Sequence, residues 1–144
     1  MSFWDSSALL PLCVNEPASR LVQDISRAHD VPVFWWASIV ECSSALERRS
    51  RSGELTFEEK RHAEQLLWEL AAAWSEVQPS QALRQRAVRL LRQHDLRAAD
   101  ALQVAAALLW AGERPFGRVF VCLDSRLRQA AQREGFTVLP QDWV

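Results

Sequence analysis

The sequence predicts an α/β fold, a three-layer α/β/α sandwich with a mostly parallel central sheet. Short β-rich segments alternate with helical segments along the whole 144-residue chain, which is the pattern of parallel sheets covered by helices on both faces. The stretch RVFVCL, residues 118–123, is strongly apolar, as in a strand buried on both faces. The length suits one domain over residues 1–144 with a sizeable core.

In the N-terminal half, two strands and four helical segments are predicted. The apolar residues Leu21, Val22 and Ile25 follow the spacings of three and four that indicate an amphipathic helix. Thr56 and Glu59 form a capping box that starts the longest helix. In order, the expected elements are a strand over Ser2–Asp5, a helical or turn segment over Ser7–Val14, a helix over Ala18–His29, a strand over Val31–Trp35, a helix over Ala37–Arg51 and a helix over Thr56–Ala73.

In the C-terminal half, strands and helices continue to alternate. Ser80 is a suitable N-cap for the next helix, and Gly112 and Gly135 each end a helix. In order, the expected elements are a short strand over Glu76–Gln78, a helix from Ser80 to about His94, a helix over Ala98–Trp110, a strand over Arg118–Leu123, a helix over Ser125–Glu134 and a strand over Phe136–Leu139. In such a sheet the functional crevice lies at the carboxyl ends of the strands, at a topological switch point.

Composition narrows the function classes. The formal net charge is −1, which argues against purely electrostatic binding of nucleic acid but permits a local basic groove. The three cysteines are far apart and have no C-x-x-C pair, so we expect reduced, buried side chains and no zinc site. No apolar run is long enough for a membrane span, and the N-terminus lacks the basic region of a signal peptide. We expect a cytoplasmic protein.

Four acidic residues fall at unusual positions. Asp5 follows the first predicted strand and Asp124 follows RVFVCL; the alternative for both is a simple helix N-cap. Glu41 and Asp100 lie on helices made mostly of small or apolar residues. The alternatives are a solvent-facing position for Glu41 and, for Asp100, a place in the first helical turn, where the helix dipole favours an anion.

These four carboxylates could converge on one crevice. Carboxylates in one place repel one another, and their pKa values rise unless a cation is present. Mg²⁺ or Mn²⁺ favours such oxygen ligands and supports chemistry at phosphoryl groups. A carboxylate cluster without His or Cys therefore favours phosphodiester chemistry over peptide hydrolysis.

The stretches that carry these acids resemble PIN-domain ribonucleases, in particular the VapC-type toxins of bacterial toxin–antitoxin pairs. They are WDSSALL with Asp5, SIVECSSALERR with Glu41, LRAADALQVAAAL with Asp100 and VCLDSRLRQAAQREGF with Asp124. The four stretches occur in the family's order and usual spacing, and together they span the chain. Each motif alone is weak, whereas the ordered set is fairly specific.

The resemblance implies a metal-dependent endoribonuclease that is the toxin of a type II toxin–antitoxin system. It implies that Asp5 and Asp100 are the closest ligands of Mg²⁺ or Mn²⁺, and that Glu41 and Asp124 act directly or through water. The implied partners are a structured or single-stranded RNA as the substrate, a cognate antitoxin that blocks the site, and a second copy of the chain in a homodimer. Two residues depart from the family pattern: Gln103 replaces a frequent His, and Cys122 replaces a frequent Thr or Ser. The second departure puts support for Asp124 in doubt.

Candidate RNA contacts are weaker predictions. Ser7 matches the small hydroxyl residue that follows the first acid in the family, and Arg97 and Arg126 flank Asp100 and Asp124 in sequence. Trp35 and Trp36 could stack on bases, although core packing or a dimer interface is the plainer interpretation. The arginines between Ser80 and Arg97 could line a groove, or could simply form a solvated helix face. We expect the three histidines to be exposed and outside the site.

Two other functions compete with the nuclease. One is a PIN-like module that binds RNA or a protein without cutting it. The other is a phosphotransfer domain with Asp5 as the nucleophile. Ser7 disfavours the second, because that chemistry usually places another acid within two residues of the first, and no lysine closes a later strand.

Overall fold

The computed structural model describes residues 1–143 and contains a five-stranded sheet with helices on both faces. The strands are β1 (Ser2–Trp4), β2 (Pro32–Trp35), β3 (Ser75–Val77), β4 (Val119–Val121) and β5 (Thr137–Leu139). The helices are α1 (Ser6–Cys13), α2 (Ser19–Ala28), α3 (Ser38–Arg51), α4 (Phe57–Ala73), α5 (Gln81–Gln93), α6 (Ala98–Trp110) and α7 (Ser125–Glu134). The last residue of the predicted domain, Val144, lies outside the described residues.

The sheet order is β3-β2-β1-β4-β5, and every strand pairing in the described chain is parallel. The predicted α/β/α fold is confirmed, and the sheet is wholly rather than mostly parallel over these residues. Successive side chains of a strand point to opposite faces. Trp4 and Phe34 therefore join a core with α1–α4, whereas Phe3, Val33 and Phe120 join a second core with α5–α7.

The positions of the helices create a crevice at the centre of the sheet. The chain leaves β1 towards α1 in one layer, and it leaves β4 towards α7 in the other layer. Since β1 and β4 are neighbours, the loops after them separate to opposite faces. This is the topological switch point at which ligands bind in parallel α/β sheets.

The predicted elements are all present, and their ends differ from the predictions for local reasons. The predicted strand 118–123 ends at Val121, because the backbone N–H of Leu123 donates to the Ser7 hydroxyl at 2.9 Å instead of continuing the sheet ladder. The capping box of Thr56 and Glu59 is formed as predicted. Among residues 1–143, no helix is both long and apolar enough to span a bilayer.

Candidate active site

Asp5 lies at the carboxyl edge of β1, directly beside β4. Its backbone N–H donates to the carbonyl of Val121 at 3.1 Å, and its side chain is only 2% exposed. The carboxylate accepts hydrogen bonds from the Ser7 hydroxyl at 2.8 Å and the Ser7 backbone N–H at 3.3 Å. Asp5 is thus the N-cap of α1, and the cap geometry fixes the direction of its carboxylate.

Burial raises the pKa of Asp5 from 3.8 to about 7, against the opposing effect of the two Ser7 hydrogen bonds. The nearby charge of Glu41 raises this pKa further. A buried carboxylate with so few donors is an unfavourable place for a negative charge. The pocket around Asp5 is therefore better suited to a carboxylate that shares a cation than to one that stands alone.

Glu41, on α3, is held from two directions. The Ser6 hydroxyl donates to one carboxylate oxygen at 2.8 Å, and the Gln103 amide nitrogen donates to the other at 3.0 Å. The same Gln103 nitrogen donates to the Ser38 hydroxyl at 2.8 Å. Burial is the largest cause that raises the pKa of Glu41, and the charge of Asp100 adds to it. Glu41 therefore faces the interior of the crevice rather than bulk solvent.

Asp100 and Asp124 complete the set from the other layer. Asp124 caps α7 by accepting from the backbone N–H of Leu127 at 3.0 Å. Asp100 lies in the first turn of α6 and is partly buried. Burial and then the charge of Asp124 raise the pKa of Asp100, whereas the charges of Arg97 and Arg126 lower it. Asp5 and Asp124 are thus helix N-caps and Asp100 lies in a first helical turn, as the structural alternatives stated. These positions are compatible with a place for all three in one site.

All four acids line one open cavity of about 880 Å³ at the switch point. The charge effects form a chain, because Glu41 acts on Asp5, Asp100 acts on Glu41, and Asp124 acts on Asp100. The structure thus brings together all four acids that the sequence analysis identified as candidates. Three arginines also border the cavity, namely Arg48, Arg97 and Arg126.

The donor set suits a hard divalent cation. Within residues 1–143, no three Asp, Glu, His or Cys side chains already converge tightly enough to hold a metal ion. Mg²⁺ does not need such a cage, because it is usually held by one or two carboxylates and keeps several waters. Oxygen-only ligands around a buried, cation-poor carboxylate such as Asp5 fit that mode of binding.

The loop that carries Asp124 is held from beneath by the C-terminal segment. The buried Arg128 guanidinium donates to the carbonyls of Cys122 at 2.8 Å and Pro140 at 2.7 Å. The Trp143 indole N–H donates to the Leu123 carbonyl at 2.9 Å. The Cys122 thiol lies 3.5 Å from the backbone oxygen of Asp124 and does not bond its carboxylate. Support for the Asp124 loop therefore comes from backbone contacts rather than from a hydroxyl at position 122.

The predicted RNA contacts are placed unevenly. Arg97 and Arg126 border the cavity, whereas the Ser7 hydroxyl is engaged with Asp5 and Leu123. An RNA contact by any of these three residues stays a prediction. Of the other arginines between Ser80 and Arg97, Arg86 pairs with Glu113 and Glu134, and the remainder line a separate groove on α5, namely Arg84, Arg89 and Arg92.

The predictions for the tryptophan and histidine side chains also have different outcomes from residue to residue. Trp35 is buried, which rules out base stacking by this residue, whereas Trp36 is half exposed. The expectation that all histidines are exposed is wrong for His94, whose side chain is 7% exposed. His94 is covered because its Nε2 lies 2.6 Å from Glu134 Oε2. All three cysteines are free and buried, as predicted.

Sequence reasoning missed two residues of the site. Ser6 was overlooked because its hydroxyl contacts Glu41, 35 positions away, and no local pattern announces such a contact. Arg48 was overlooked because it is one of three basic residues in the last turn of α3. Its distance of seven residues from Glu41, two helical turns, was the available signal that both side chains share one face.

Comparison with known proteins agrees with this architecture. The family model of the PIN domain matches residues 3–138. Ribonuclease VapC45 and Ribonuclease VapC49, from two strains of Mycobacterium tuberculosis, are each 31% identical to this chain over 138 residues, which cover 96% of this chain and 94% of each relative.

Solved structures resemble the fold over its full length. A toxin–antitoxin complex from Klebsiella pneumoniae superposes with a TM-score of 0.71 at 15% identity and covers 100% of both chains. FitAcB from Neisseria gonorrhoeae superposes with a TM-score of 0.66 at 14% identity and covers 98% of both chains. At such identities the likeness establishes the fold alone.

Proposed function

This chain belongs to the PIN-domain family, and from that premise we propose that it is a metal-dependent endoribonuclease, the toxin of a type II toxin–antitoxin system. The observation that carries the proposal is the cavity at the switch point, where four carboxylates meet and where, among residues 1–143, only arginines at the border offset their charge. Two relatives that match over nearly the whole chain are named ribonucleases.

Each acid has a proposed role. Asp5 and Asp100 are the closest ligands of Mg²⁺ or Mn²⁺, and Glu41 and Asp124 act directly or through water. A bound divalent ion would lower the pKa of a water molecule and stabilise the charge that develops on the phosphoryl group. The residues of the chain supply the orientation: Ser7 fixes the Asp5 carboxylate, and Ser6 with Gln103 fixes Glu41.

The reaction is hydrolysis of an RNA phosphodiester bond. The oxygen of water forms a bond to phosphorus, the bond from phosphorus to the leaving oxygen breaks, and that oxygen takes up a proton. Arg97 and Arg126, at the border of the cavity, are placed to bind phosphate oxygens, since a guanidinium matches phosphate geometry with two hydrogen bonds.

The proposal includes partners and location. We propose that residues 1–144 act as a single PIN domain in the cytoplasm, that two copies form a homodimer, and that a cognate antitoxin blocks the cavity. The neighbouring structure from Klebsiella pneumoniae, which is described as a toxin–antitoxin complex, shares this fold.

The test is cleavage of labelled total RNA by purified protein, with Mg²⁺ or Mn²⁺ against excess EDTA, beside the Asp5→Asn variant. Discrete fragments that require both the ion and Asp5 would establish the nuclease. Cleavage that persists in EDTA would contradict the metal-dependent scheme. Binding of RNA without any cleavage, by a folded protein loaded with the ion, would instead favour a silent binding module.

A further inference from the structure

Four residues at intervals of four follow one side of α3 and the turn before it. They are Trp36, Val40, Ser44 and Arg48, and we call them the α3 ridge. Helical residues four apart lie on the same face, and Val40, Ser44 and Arg48 all line the cavity wall. From Val40 to Arg48 the helix rises by about 12 Å. The ridge is thus an extended feature beside the carboxylates rather than a single contact point.

One end of the ridge is apolar and exposed. Trp36 is 50% exposed and Val40 is 66% exposed, although Val40 borders a polar cavity. The Trp36 ring lies edge-on to the buried Trp35, with 6.3 Å between ring centroids, and its backbone N–H donates to Val77 at 3.1 Å. The hydrogen bond fixes the main chain at Trp36 and the ring contact with Trp35 restricts the indole, half of which stays exposed to a partner.

The other end of the ridge carries an uncompensated positive charge. One guanidinium nitrogen of Arg48 donates to the Ser44 hydroxyl at 3.0 Å, and within the described chain no carboxylate lies within 4.0 Å of this guanidinium. The next residue, Arg49, is by contrast bonded to Glu16 at 2.8 Å. Arg48 therefore keeps donors for an anion that enters the cavity.

We propose that the α3 ridge binds single-stranded RNA, with one base stacked on Trp36 and Val40 and a phosphate bound by Arg48. This inference rests on the proposed nuclease function and adds the residues on the α3 side of the cavity that bind the substrate strand. A base can stack on an aromatic side chain only when it has left its own helical stack, which favours single strands, loops and bulges.

The charge arrangement favours RNA over a protein partner at this place. Arg48 stands on the α3 wall of the cavity, whereas Arg97 and Arg126 come from the turn before α6 and the start of α7. A polyanion that crosses the four carboxylates would need cations on both sides of these acids. The three arginines provide such cations on the two walls of the cavity. Trp36 lies outside the cavity lining, four residues before Val40, which belongs to that lining.

The experiment measures binding of a fluorescently labelled, unstructured oligoribonucleotide by anisotropy, in the cleavage-silent Asp5→Asn background. Adding Trp36→Ala should weaken binding by about 5- to 150-fold, the range for loss of one stacked base, whereas Trp36→Phe should stay within about threefold because it keeps a stacking ring. Adding Arg48→Ala should weaken binding and lower the salt slope by about one.

Two matched controls come from the same chain. Trp68 on α4 is 62% exposed and lies outside the cavity lining, and Arg51 is an exposed arginine of α3 outside it. Trp68→Ala and Arg51→Ala should leave binding unchanged. Equal losses for Trp36→Ala and Trp68→Ala would overturn the proposal. So would a Trp36→Ala variant that binds RNA normally but changes its molar mass in light scattering, since the residue would then serve a protein interface.

The binding assay also separates this inference from the proposed function. If the wild-type chain cleaves RNA with Mg²⁺ or Mn²⁺ but Trp36→Ala does not affect binding, the nuclease stands and the α3 ridge proposal fails. If no RNA is cleaved and binding still depends on Trp36, the ridge stands and the nuclease fails. If the oligoribonucleotide does not bind at all, the ridge proposal fails whatever the cleavage result.

Discussion

Two clusters of charged residues lie at opposite ends of α7 and have opposite characters. The cavity cluster comprises Asp5, Glu41, Asp100 and Asp124, and the ion-pair cluster comprises Arg86, His94, Glu113 and Glu134. In the ion-pair cluster, Arg86 bonds both glutamates, at 2.6 Å and 3.3 Å, and His94 covers the remaining oxygen of Glu134. In the cavity cluster, acid faces acid, and the pKa values of three members are raised.

The comparison shows how to distinguish a structural cluster from a functional one. The ion-pair cluster contains the guanidinium of Arg86, which pairs with both of its glutamates, so the chain itself compensates these carboxylates. Within residues 1–143, the cavity cluster has arginines only at its border, and burial adds to the cost of its charges. A set of carboxylates that destabilises the protein which contains it indicates that function, rather than folding, requires the set.

The largest expected effect is the loss of RNA cleavage in Asp5→Asn. This change keeps the size of the side chain but removes the charge that would help to hold the divalent ion. Since such an ion contributes several kcal/mol to transition-state stabilisation, we expect cleavage to fall by about 10³-fold or more. The matched control is Glu134→Gln in the ion-pair cluster, for which we expect a rate within about threefold of wild type. Similar losses in both variants would erase the functional distinction between the clusters.

The next effect concerns stability and has the opposite sign to ordinary acid denaturation. Because the pKa of Asp5 is raised from 3.8 to about 7 in the folded protein, the folded state holds a proton that the unfolded state loses above about pH 4. The free energy of unfolding of the metal-free protein should therefore fall as pH rises from about 4 through 7, by on the order of 2–4 kcal/mol.

Asp5→Asn should remove this pH dependence and make the metal-free protein more stable than wild type at pH 8. Urea unfolding in EDTA at pH 5 and pH 8, followed by circular dichroism for both proteins, measures the difference. The wild-type protein should regain stability at pH 8 when Mg²⁺ or Mn²⁺ is added, because the ion binds only the folded state. An Asp5→Asn variant less stable than wild type at pH 8 would show that the carboxylate is structural.

How far the sequence predicted these features depends on the range of the interactions. The order of elements and the positions of Asp5 and Asp124 follow from local patterns, because strand ends and N-caps are determined by a few consecutive residues. The exposure of His94 was mispredicted because Glu134, which covers it, is 40 residues away. The contact of Ser6 with Glu41 is equally non-local.

The convergence of the four acids lies between these cases. Alternation of strands and helices predicts that strand ends share an edge, which places Asp5 and Asp124 near each other. It does not by itself place Glu41, since the orientation of α3 depends on packing. In the structure, the Gln103 amide and the Ser6 hydroxyl determine the position of the Glu41 carboxylate, because they donate hydrogen bonds to it from two different helices.

A substitution in the ion-pair cluster should change the free energy of unfolding in the opposite direction. Glu134→Gln removes the charge that pairs with Arg86 and His94, whose side chains are largely covered. Since a covered charge loses its partner, the free energy of unfolding should fall by about 1–3 kcal/mol, measured by urea unfolding at pH 7. Removing one carboxylate would thus stabilise the protein at Asp5 and destabilise it at Glu134. If both substitutions changed the free energy of unfolding in the same direction, the proposed difference between the two clusters would be wrong.

The smallest expected effect tests whether the C-terminal segment stabilises the cavity cluster in particular rather than the fold as a whole. Trp143→Phe keeps an aromatic ring but removes the N–H that donates to the Leu123 carbonyl at 2.9 Å, so unfolding should become easier by about 1 kcal/mol. Because Leu123 precedes Asp124, amide hydrogen exchange should rise at residues 122–126 and stay unchanged at the ion-pair cluster. A uniform rise across the protein would mean that Trp143 stabilises the whole fold and holds no particular part of the site.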